Sequence, residues 1–180
     1  MLNSTFTLKD GRRIDVVTVG PSDATELISY INQVGGESDF LTFGENEFWL
    51  NVEDEKKYIQ SREDHKAGFL IKGTVDGKIV STLTIERIDR PRLRHIGELG
   101  ISVLAAYWGI GVGRRMCEAA IQFSKEIGVQ KINLKVRDDN THAITLYEKL
   151  GFEHEGATRR ASFTKGQFHS NKIMGLCIDG

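Results

Sequence analysis

The sequence predicts a mixed α/β domain in which a mostly antiparallel, twisted sheet is flanked by helices. Two β-rich runs, "GFLIKGTV" and "KIVSTLTIERI", meet at Asp76-Gly77, a dipeptide typical of the tight turn between antiparallel strands. Elsewhere strand patterns alternate with helical ones. With 180 residues the chain is long enough for one sizeable core, so we expect a single domain over residues 1–180.

The segment before this hairpin is predicted to hold one strand and two helices. The run "RRIDVVTVG" is rich in β-branched residues and follows a turn signal at 10–11. A helix is expected over about 22–34, with the Ser-Asp pair at its start as the cap. Residues 35–52 have no clean period and predict a loop or broken helix. A second helix is expected over 53–63, because three acids at its start suit the positive end of the helix dipole.

The segment after the hairpin is predicted to alternate strands and helices before ending in a second hairpin. "HIGELGISV" and "KINLKVR" are strands, and between them an amphipathic helix ends at Gly128. A short helix follows over 140–150. Strands around Thr158 and Ile173 are expected to pair across Lys165-Gly166.

Composition limits the functional classes. The net charge of −1 argues against broad nucleic-acid or membrane binding, since both normally need a basic face. Cys117 and Cys177 are far apart and the histidines lack HxxxH spacing, so we expect no disulfide framework and no metal site. The first residues lack the apolar region of a secretory signal, and a cytoplasmic location is expected.

The stretch "AAYWGIGVGRRM" places three glycines between a strand and a helix, an arrangement that holds phosphate oxygens on backbone amides. A P-loop would need a lysine that is missing here. A dinucleotide fold would need a third glycine where Arg114 or Met116 stands. A coenzyme A diphosphate remains as a ligand, and a tight turn without any ligand is the structural alternative.

Two motifs, "LGISVLAAYWGIGVGRRM" and "RDDNTHAITLYEKLGFEHEG", resemble the signatures of the GCN5-related N-acetyltransferase (GNAT) superfamily. The C-terminal segment resembles the branch of ribosomal-protein N-terminal alanine acetyltransferases. Trp108 stands where the family usually has Gln or Arg. The resemblance implies the acyl-CoA N-acyltransferase fold and acetyl-CoA as co-substrate.

The resemblance also implies which residues bind the cofactor. Strand backbone would pair with the pantetheine arm, the glycine loop would hold the diphosphate, and the second motif would contact the cofactor further along. Charge-assisted contacts from Arg114 and its neighbour Arg115 would add to the phosphate site. The expected cofactor-binding residues are Ile101, Ser102, Val103, Trp108, Gly109, Ile110, Gly111, Val112, Gly113, Arg114, Asn140 and Tyr147.

Acetyl transfer to an amine needs a proton acceptor for the amine and a proton donor for the departing thiolate. Strand alternation puts Glu98 on a small, polar face, which makes it the candidate base; an ion-paired surface carboxylate is the alternative. The resemblance places Tyr147 where the family carries its general acid, although helical spacing alone would favour a core tyrosine. Asn140 could act only as a helix cap.

The acceptor is expected to be a primary amine, either a peptide or protein N-terminus or a small amine such as a polyamine or aminoglycoside. Between Gly35 and Glu55 the chain has seven acids and no lysine or arginine, which would attract a cationic amine. Phe40, Phe43, Phe48 and Trp49 could wall its cleft. A non-catalytic acyl-CoA sensor is the alternative from another class, and a homodimer stays open.

Overall fold

The centre of the computed structural model, which describes residues 1–62 and 64–178, is one continuous sheet. In that part of the chain the sheet has eight strands in the order β1-β2-β3-β4-β5-β6-β8-β7. Neighbouring strands pair antiparallel, except β5 and β6, which are parallel. The mostly antiparallel sheet predicted from sequence is therefore confirmed. The strands are β1 (Asn3–Thr7), β2 (Arg13–Thr18), β3 (Gly68–Val75), β4 (Lys78–Arg87), β5 (Ile96–Val103), β6 (Lys131–Arg137), β7 (Glu153–Thr164) and β8 (Gln167–Cys177).

Two hydrophobic clusters cover the two faces of this sheet. One joins the first two helices to Leu70 and Ile79. The other, larger cluster joins the last two helices to the opposite face through residues such as Met116 and Tyr147. The helices are α1 (Ala24–Glu37), α2 (Val52–Gln60), α3 (Val112–Glu126) and α4 (Thr141–Lys149).

The two hairpin turns and the helix end that the sequence predicted are found at the expected residues. Asp76 and Gly77 both have positive φ, 51° and 76°, which fits the turn that matches the twist of an antiparallel pair. The Lys165-Gly166 turn repeats this geometry. Gly128, with φ of 77°, directly follows the last residues of α3.

Two expectations were wrong in detail, and the end of a third lies outside the described residues. The strand predicted as the first is the second, because Asn3–Thr7 pairs with it across the turn at 8–12. The helix expected to stop at Val34 continues to Glu37. The next helix covers Val52–Gln60, and its predicted end at Glu63 lies outside the described residues.

A split in the sheet defines the main concavity of the molecule. β5 and β6 pair over three residue pairs only, from Ile96↔Lys131 to Glu98↔Asn133. Beyond them β5 stays paired with β4 as far as Val103, while its other edge is free. A cleft therefore opens between β5 and β6.

None of the helices within 1–62 and 64–178 has both the length and the hydropathy required to cross a bilayer.

Candidate functional site

The split leads into a cleft of about 1460 Å³. Its walls come from β4, β5 and β6, the loop before α3, α4, and the segment between α1 and α2. The structure brings together nearly all of the residues predicted from sequence. The predicted residues that line the cleft are Glu98, Ile101, Ser102, Val103, Trp108, Gly109, Gly111, Val112, Gly113, Arg114, Asn140 and Tyr147.

Ile110 is the one residue of the predicted cofactor set that does not line the cleft, and its contact with the cofactor stays a prediction. Its side chain packs against the hydrophobic core, and its carbonyl oxygen accepts a hydrogen bond of 3.0 Å from the backbone N–H of Lys9. Successive residues of the loop alternate between the two sides, so Gly109 and Gly111 border the cleft while Ile110 lies on the side of the core.

The free edge of β5 supplies backbone amides. The backbone N–H of Leu104 donates to the carbonyl of Val80 on β4, and the carbonyl of Ser102 accepts from Ser81 Oγ at 2.7 Å. Because successive residues of a strand direct their backbone polar groups to opposite edges, Ile101 and Val103 direct theirs into the cleft. Beyond Glu98 no described strand pairs with this edge, and although Trp108 occupies the carbonyl of Val103, the N–H groups of Ile101 and Val103 can bind an extended amide-containing chain.

Ser102 has a different position from its two neighbours. Its hydroxyl is bound to the hydroxyl of Tyr30, at 2.8 Å, and to that of Thr82, at 3.1 Å. Tyr30 lies on α1 and is 4% exposed, and this burial raises its pKa to about 12. The Ser102 side chain therefore fastens β5 to α1.

The glycine loop presents the N-terminus of α3 to the cleft. Gly111 is the N-cap residue with φ of 101°, and no side chain caps the helix there. The first amides of a helix have no intrahelical acceptor, so those from Gly111 to Arg114 are available to an anion, which the helix dipole also favours. At Gly113 a Cβ would make only an ordinary van der Waals contact with Leu146, at 3.4 Å, so the packing alone does not demand glycine there. This cradle fits a diphosphate.

The two arginines after the loop have different surroundings. Both are ion-paired with Glu118 at 2.8 Å. Arg114 lines the cleft, whereas Arg115 does not and lies over the ring of Phe6. One helical step of about 100° turns Arg115 away from the cleft, and its expected phosphate contact stays a prediction.

Lys9 is a cleft residue that the sequence did not single out. It lies in the turn between β1 and β2, and its Nζ is 3.3 Å from the carbonyl oxygen of Gly109. A cation is thereby placed against the diphosphate cradle from a position 100 residues earlier in the chain. No local pattern could have revealed this contact.

Trp108 supports the loop rather than filling the cleft. Its indole Nε1 donates a 2.7 Å hydrogen bond to the carbonyl oxygen of Val103, and its side chain is about half exposed. The bond links the end of β5 to the start of the glycine loop.

Tyr147 and Asn140 lie on α4 at the opposite wall. Tyr147 is 6% exposed, packs against Phe152, and lines the cleft. Burial, with a smaller contribution from Cys117, raises the pKa of its phenol, so the hydroxyl keeps its proton. Asn140 caps α4, because its side-chain oxygen accepts from the N–H of Ala143 at 3.2 Å, and it also borders the cleft.

Glu98 lies at the base of the split. It is exposed, lines the cleft, and pairs with Lys135 Nζ at 2.9 Å. In the antiparallel register it lies directly opposite Glu86 of β4. The ion pair predicted as the structural alternative is present, and such an exposed pair contributes only about 0–1 kcal/mol to stability, which leaves the carboxylate accessible.

The acidic segment contributes mainly uncharged side chains to the cleft, four of them aromatic. Of its seven acids only Glu55 lines the cleft. Glu37 accepts a hydrogen bond from the backbone N–H of Ala105, and Asp39 pairs with Lys165. The aromatic residues that line the cleft are Phe40, Phe43, Phe48 and Trp49.

The described residues hold no group of three or more His, Cys, Asp or Glu side chains placed to bind a metal ion. Cys117 is fully buried in α3, and burial raises its pKa to about 12. Because the thiolate is the reactive form, this cysteine acts as a core residue.

Known proteins resemble this chain in sequence. It is 34% identical over 95 residues to the L-amino acid N-acetyltransferase AaaT of Escherichia coli, and 36% identical over 102 residues to the N-alpha-acetyltransferase RimI of Mycobacterium tuberculosis. These alignments cover 52% and 57% of this chain. They span only about three fifths of each relative, 59% and 60%.

Solved structures share the whole fold. An acetyltransferase of the GNAT family from Streptococcus pneumoniae superimposes with a TM-score of 0.88 at 29% identity, covering 92% of this chain and 99% of its own. An acetyltransferase structure from Salmonella typhimurium, solved with its cofactor acetyl-CoA, has a TM-score of 0.80 at 14% identity, covering 92% of this chain and 94% of its own. At that identity the second likeness concerns the fold.

The family model for the acetyltransferase (GNAT) family matches residues 38–152, which include the split, the glycine loop and α4. The chain belongs to this family of acetyltransferases, which use acetyl-CoA as the acyl donor.

Proposed function

We propose that this chain transfers the acetyl group of acetyl-CoA directly to a primary amine, either a peptide N-terminus or a small amine, within one ternary complex. The observation that carries this proposal is the sheet split. It places the free amides of Ile101 and Val103 in one cleft with the uncapped N-terminus of α3. A diphosphate-bearing thioester needs an anion cradle and an extended amide partner, and the cleft offers both.

The residues that would hold the donor follow from the geometry. The amides from Gly111 to Arg114 bind the diphosphate, with Lys9 adding positive charge beside Gly109. The edge of β5 pairs with the amides of the pantetheine arm. Acetyl-CoA supplies the activated acyl group as its thioester.

The proposed proton transfers fall to two side chains. Glu98, directly or through a water, accepts the proton that the amine loses as its nitrogen bonds to the carbonyl carbon. The N–H of Val103 or its neighbour on the β5 edge stabilises the developing oxyanion. Tyr147 donates its phenolic proton to the sulfur when the carbon–sulfur bond breaks. The products are the N-acetylated amine and free coenzyme A.

Two relatives support an amine acceptor by their names, one as an L-amino acid N-acetyltransferase and one as an N-alpha-acetyltransferase. We propose that residues 1–180 act as one domain, which the continuous sheet from β1 to β8 supports. We also propose a cytoplasmic setting, with a second copy of the chain as an optional partner.

The test measures thiol release from acetyl-CoA in the presence of peptides with free N-termini, polyamines and aminoglycosides. Mass spectrometry then identifies the acetylated product. We expect release that depends on one class of amine. Acetyl-CoA binding without thiol release for any amine would instead support the non-catalytic sensor.

A further inference from the structure

Glu55 is a buried charged residue that the mechanism above does not use. It lies on α2, is 1% exposed, and is the only charged residue among the buried side chains that the structure describes. Its Oε2 atom has no hydrogen-bond partner in the described part of the chain. The side chain nevertheless lines the cleft. A buried carboxyl group with an unpartnered oxygen therefore belongs to the wall of the space that a substrate enters.

The surrounding side chains do not compensate this carboxyl group. Tyr58, one turn later on α2, donates its hydroxyl to Glu86 at 3.1 Å. Arg62 directs one terminal nitrogen to Glu86, at 2.7 Å, and the other to the Tyr58 hydroxyl, at 3.0 Å. The terminal nitrogens of Arg62 are thus engaged by Glu86, Tyr58 and the carbonyl of Ala67, and Glu55 forms no ion pair with another described residue.

Burial without a partner is unfavourable for a carboxylate, and it raises the pKa of Glu55 above its usual 4.5. Such a group becomes favourable when a ligand brings a positive charge to it. The aromatic side chains of Phe43, Phe48 and Trp49 line the same cleft, and aromatic faces also attract ammonium groups.

Glu55 and the proposed base belong to different elements of the cleft wall, α2 and β5. Glu98, the proposed base, lies opposite Glu86 in the register of β4 and β5. Glu86 in turn accepts a hydrogen bond from the hydroxyl of Tyr58, which follows Glu55 by three residues on α2. Glu55 is therefore suited to a different nitrogen from the one that Glu98 deprotonates.

We propose that Glu55 binds a second, cationic nitrogen of the acceptor, so that the preferred substrates are diamines or amines with a lysine-like ammonium group apart from the acetylated nitrogen. This inference rests on the proposed acetyl transfer. It adds a substrate class to it, and it assigns α2 the role of selecting that class.

The test compares acceptors that differ in one charge. Putrescine is compared with n-butylamine, and the peptide Ala-Lys-Ala with Ala-norleucine-Ala. For at least one pair we expect kcat/KM of the wild type to favour the charged member by about tenfold or more, which corresponds to one charge-assisted hydrogen bond. Glu55→Gln is expected to remove this preference by lowering kcat/KM of the charged member, with less than about a twofold change for its partner.

A matched control lies on the same helix. Glu53 is exposed, pairs with Lys56 and does not line the cleft, so Glu53→Gln should keep the wild-type preference. Equal rates within both pairs for the wild type, or an equal loss for both members in Glu55→Gln, would overturn the proposal. The unfolding midpoint of Glu55→Gln without amine should match or exceed that of the wild type, since the variant removes an unpartnered buried charge.

A binding measurement distinguishes failure of the proposed acetyl transfer from failure of the proposed Glu55 subsite. If none of the four amines releases thiol, the proposed function fails for these acceptors, and the thermal shift caused by putrescine then tests Glu55 directly. A shift in the wild type that is absent in Glu55→Gln and absent with 1,4-butanediol supports the subsite. The same shift in both proteins, or none in the wild type, overturns it.

Discussion

Tyr147 combines deep burial with contact to the cleft. Its phenol lines the cleft and forms no hydrogen bond to other described residues. Burial keeps this group protonated well beyond neutral pH, which suits a donor whose proton is needed only when the thiolate leaves. The same burial explains why its helical spacing is typical of a core residue.

Tyr147→Phe is therefore predicted to retain acetyl-CoA binding while kcat falls by about a hundredfold, within the range of general acid catalysis. Steady-state thiol release gives kcat, and calorimetric titration with acetyl-CoA gives the affinity. Because the ring stays in place, the unfolding midpoint should remain close to that of the wild type. Unchanged turnover with a good acceptor would reject the acid role.

Sequence patterns identified candidate site residues that belong to a local motif. They did not identify residues that reach the cleft only through contacts between distant parts of the chain. Asn140 and Tyr147 were found because a motif and a helix start mark them. Lys9 was not singled out, and Glu55 was predicted only as one of seven acids, since the positions of both depend on contacts across the fold. Glu98 was predicted with both a base and an ion-pair interpretation, and its ion pair with Lys135 does not decide between them.

At the scale of elements, the glycine loop is a connection whose backbone shape is specified by single residues. Gly109 and Gly111 have φ of 77° and 101°, a region that side chains with a Cβ rarely adopt. Gly128 at the end of α3 has the same φ as Gly109, and an added Cβ would meet nothing within 4 Å at either position. The two glycines differ only in location.

Substituting these two glycines distinguishes the cost of backbone strain from an effect on cofactor binding. Gly109→Ala and Gly128→Ala should each lower the free energy of unfolding by about 1–2 kcal/mol, because each forces a Cβ into the left-handed region. Only Gly109→Ala should also weaken acetyl-CoA binding, since only this loop shapes the cradle. Urea unfolding and calorimetric titration of both variants provide the measurements, and equal affinities would contradict a diphosphate role for the loop.

The predicted boundaries of helices and strands agree with the observed ones where the residues at the boundary determine the backbone conformation. Both hairpin turns were predicted from a glycine at the second turn position, and the structure shows positive φ at Asp76, Gly77, Lys165 and Gly166. α1 continued past its predicted end through Gly35 and Gly36, although glycine disfavours helix. A Cβ at Gly35 would clash with the carbonyl of Gly44, so close packing of the following loop keeps this glycine in the helix.

Across the whole molecule, the cleft depends on strands that are distant in sequence. β5 and β6 separate after Glu98, while β1 and β2 bring Lys9 to the far end of the opening. Sequence patterns predicted the mixed sheet and the loop. They could not predict where the parallel pair would separate, because register between non-adjacent strands is a tertiary property.

The contact between the N-terminal hairpin and the glycine loop leads to a prediction about charge. Lys9→Met removes the ammonium group while keeping an apolar stem of similar length, so the affinity for acetyl-CoA should fall about fivefold. Its dependence on salt should also weaken, because one fewer cation faces the phosphates. Lys78→Met is the control, since Lys78 is exposed in the β3–β4 turn region and does not line the cleft. Titrations at low and high salt measure both effects, and equal affinity for the two variants at low salt would exclude Lys9 from the diphosphate site.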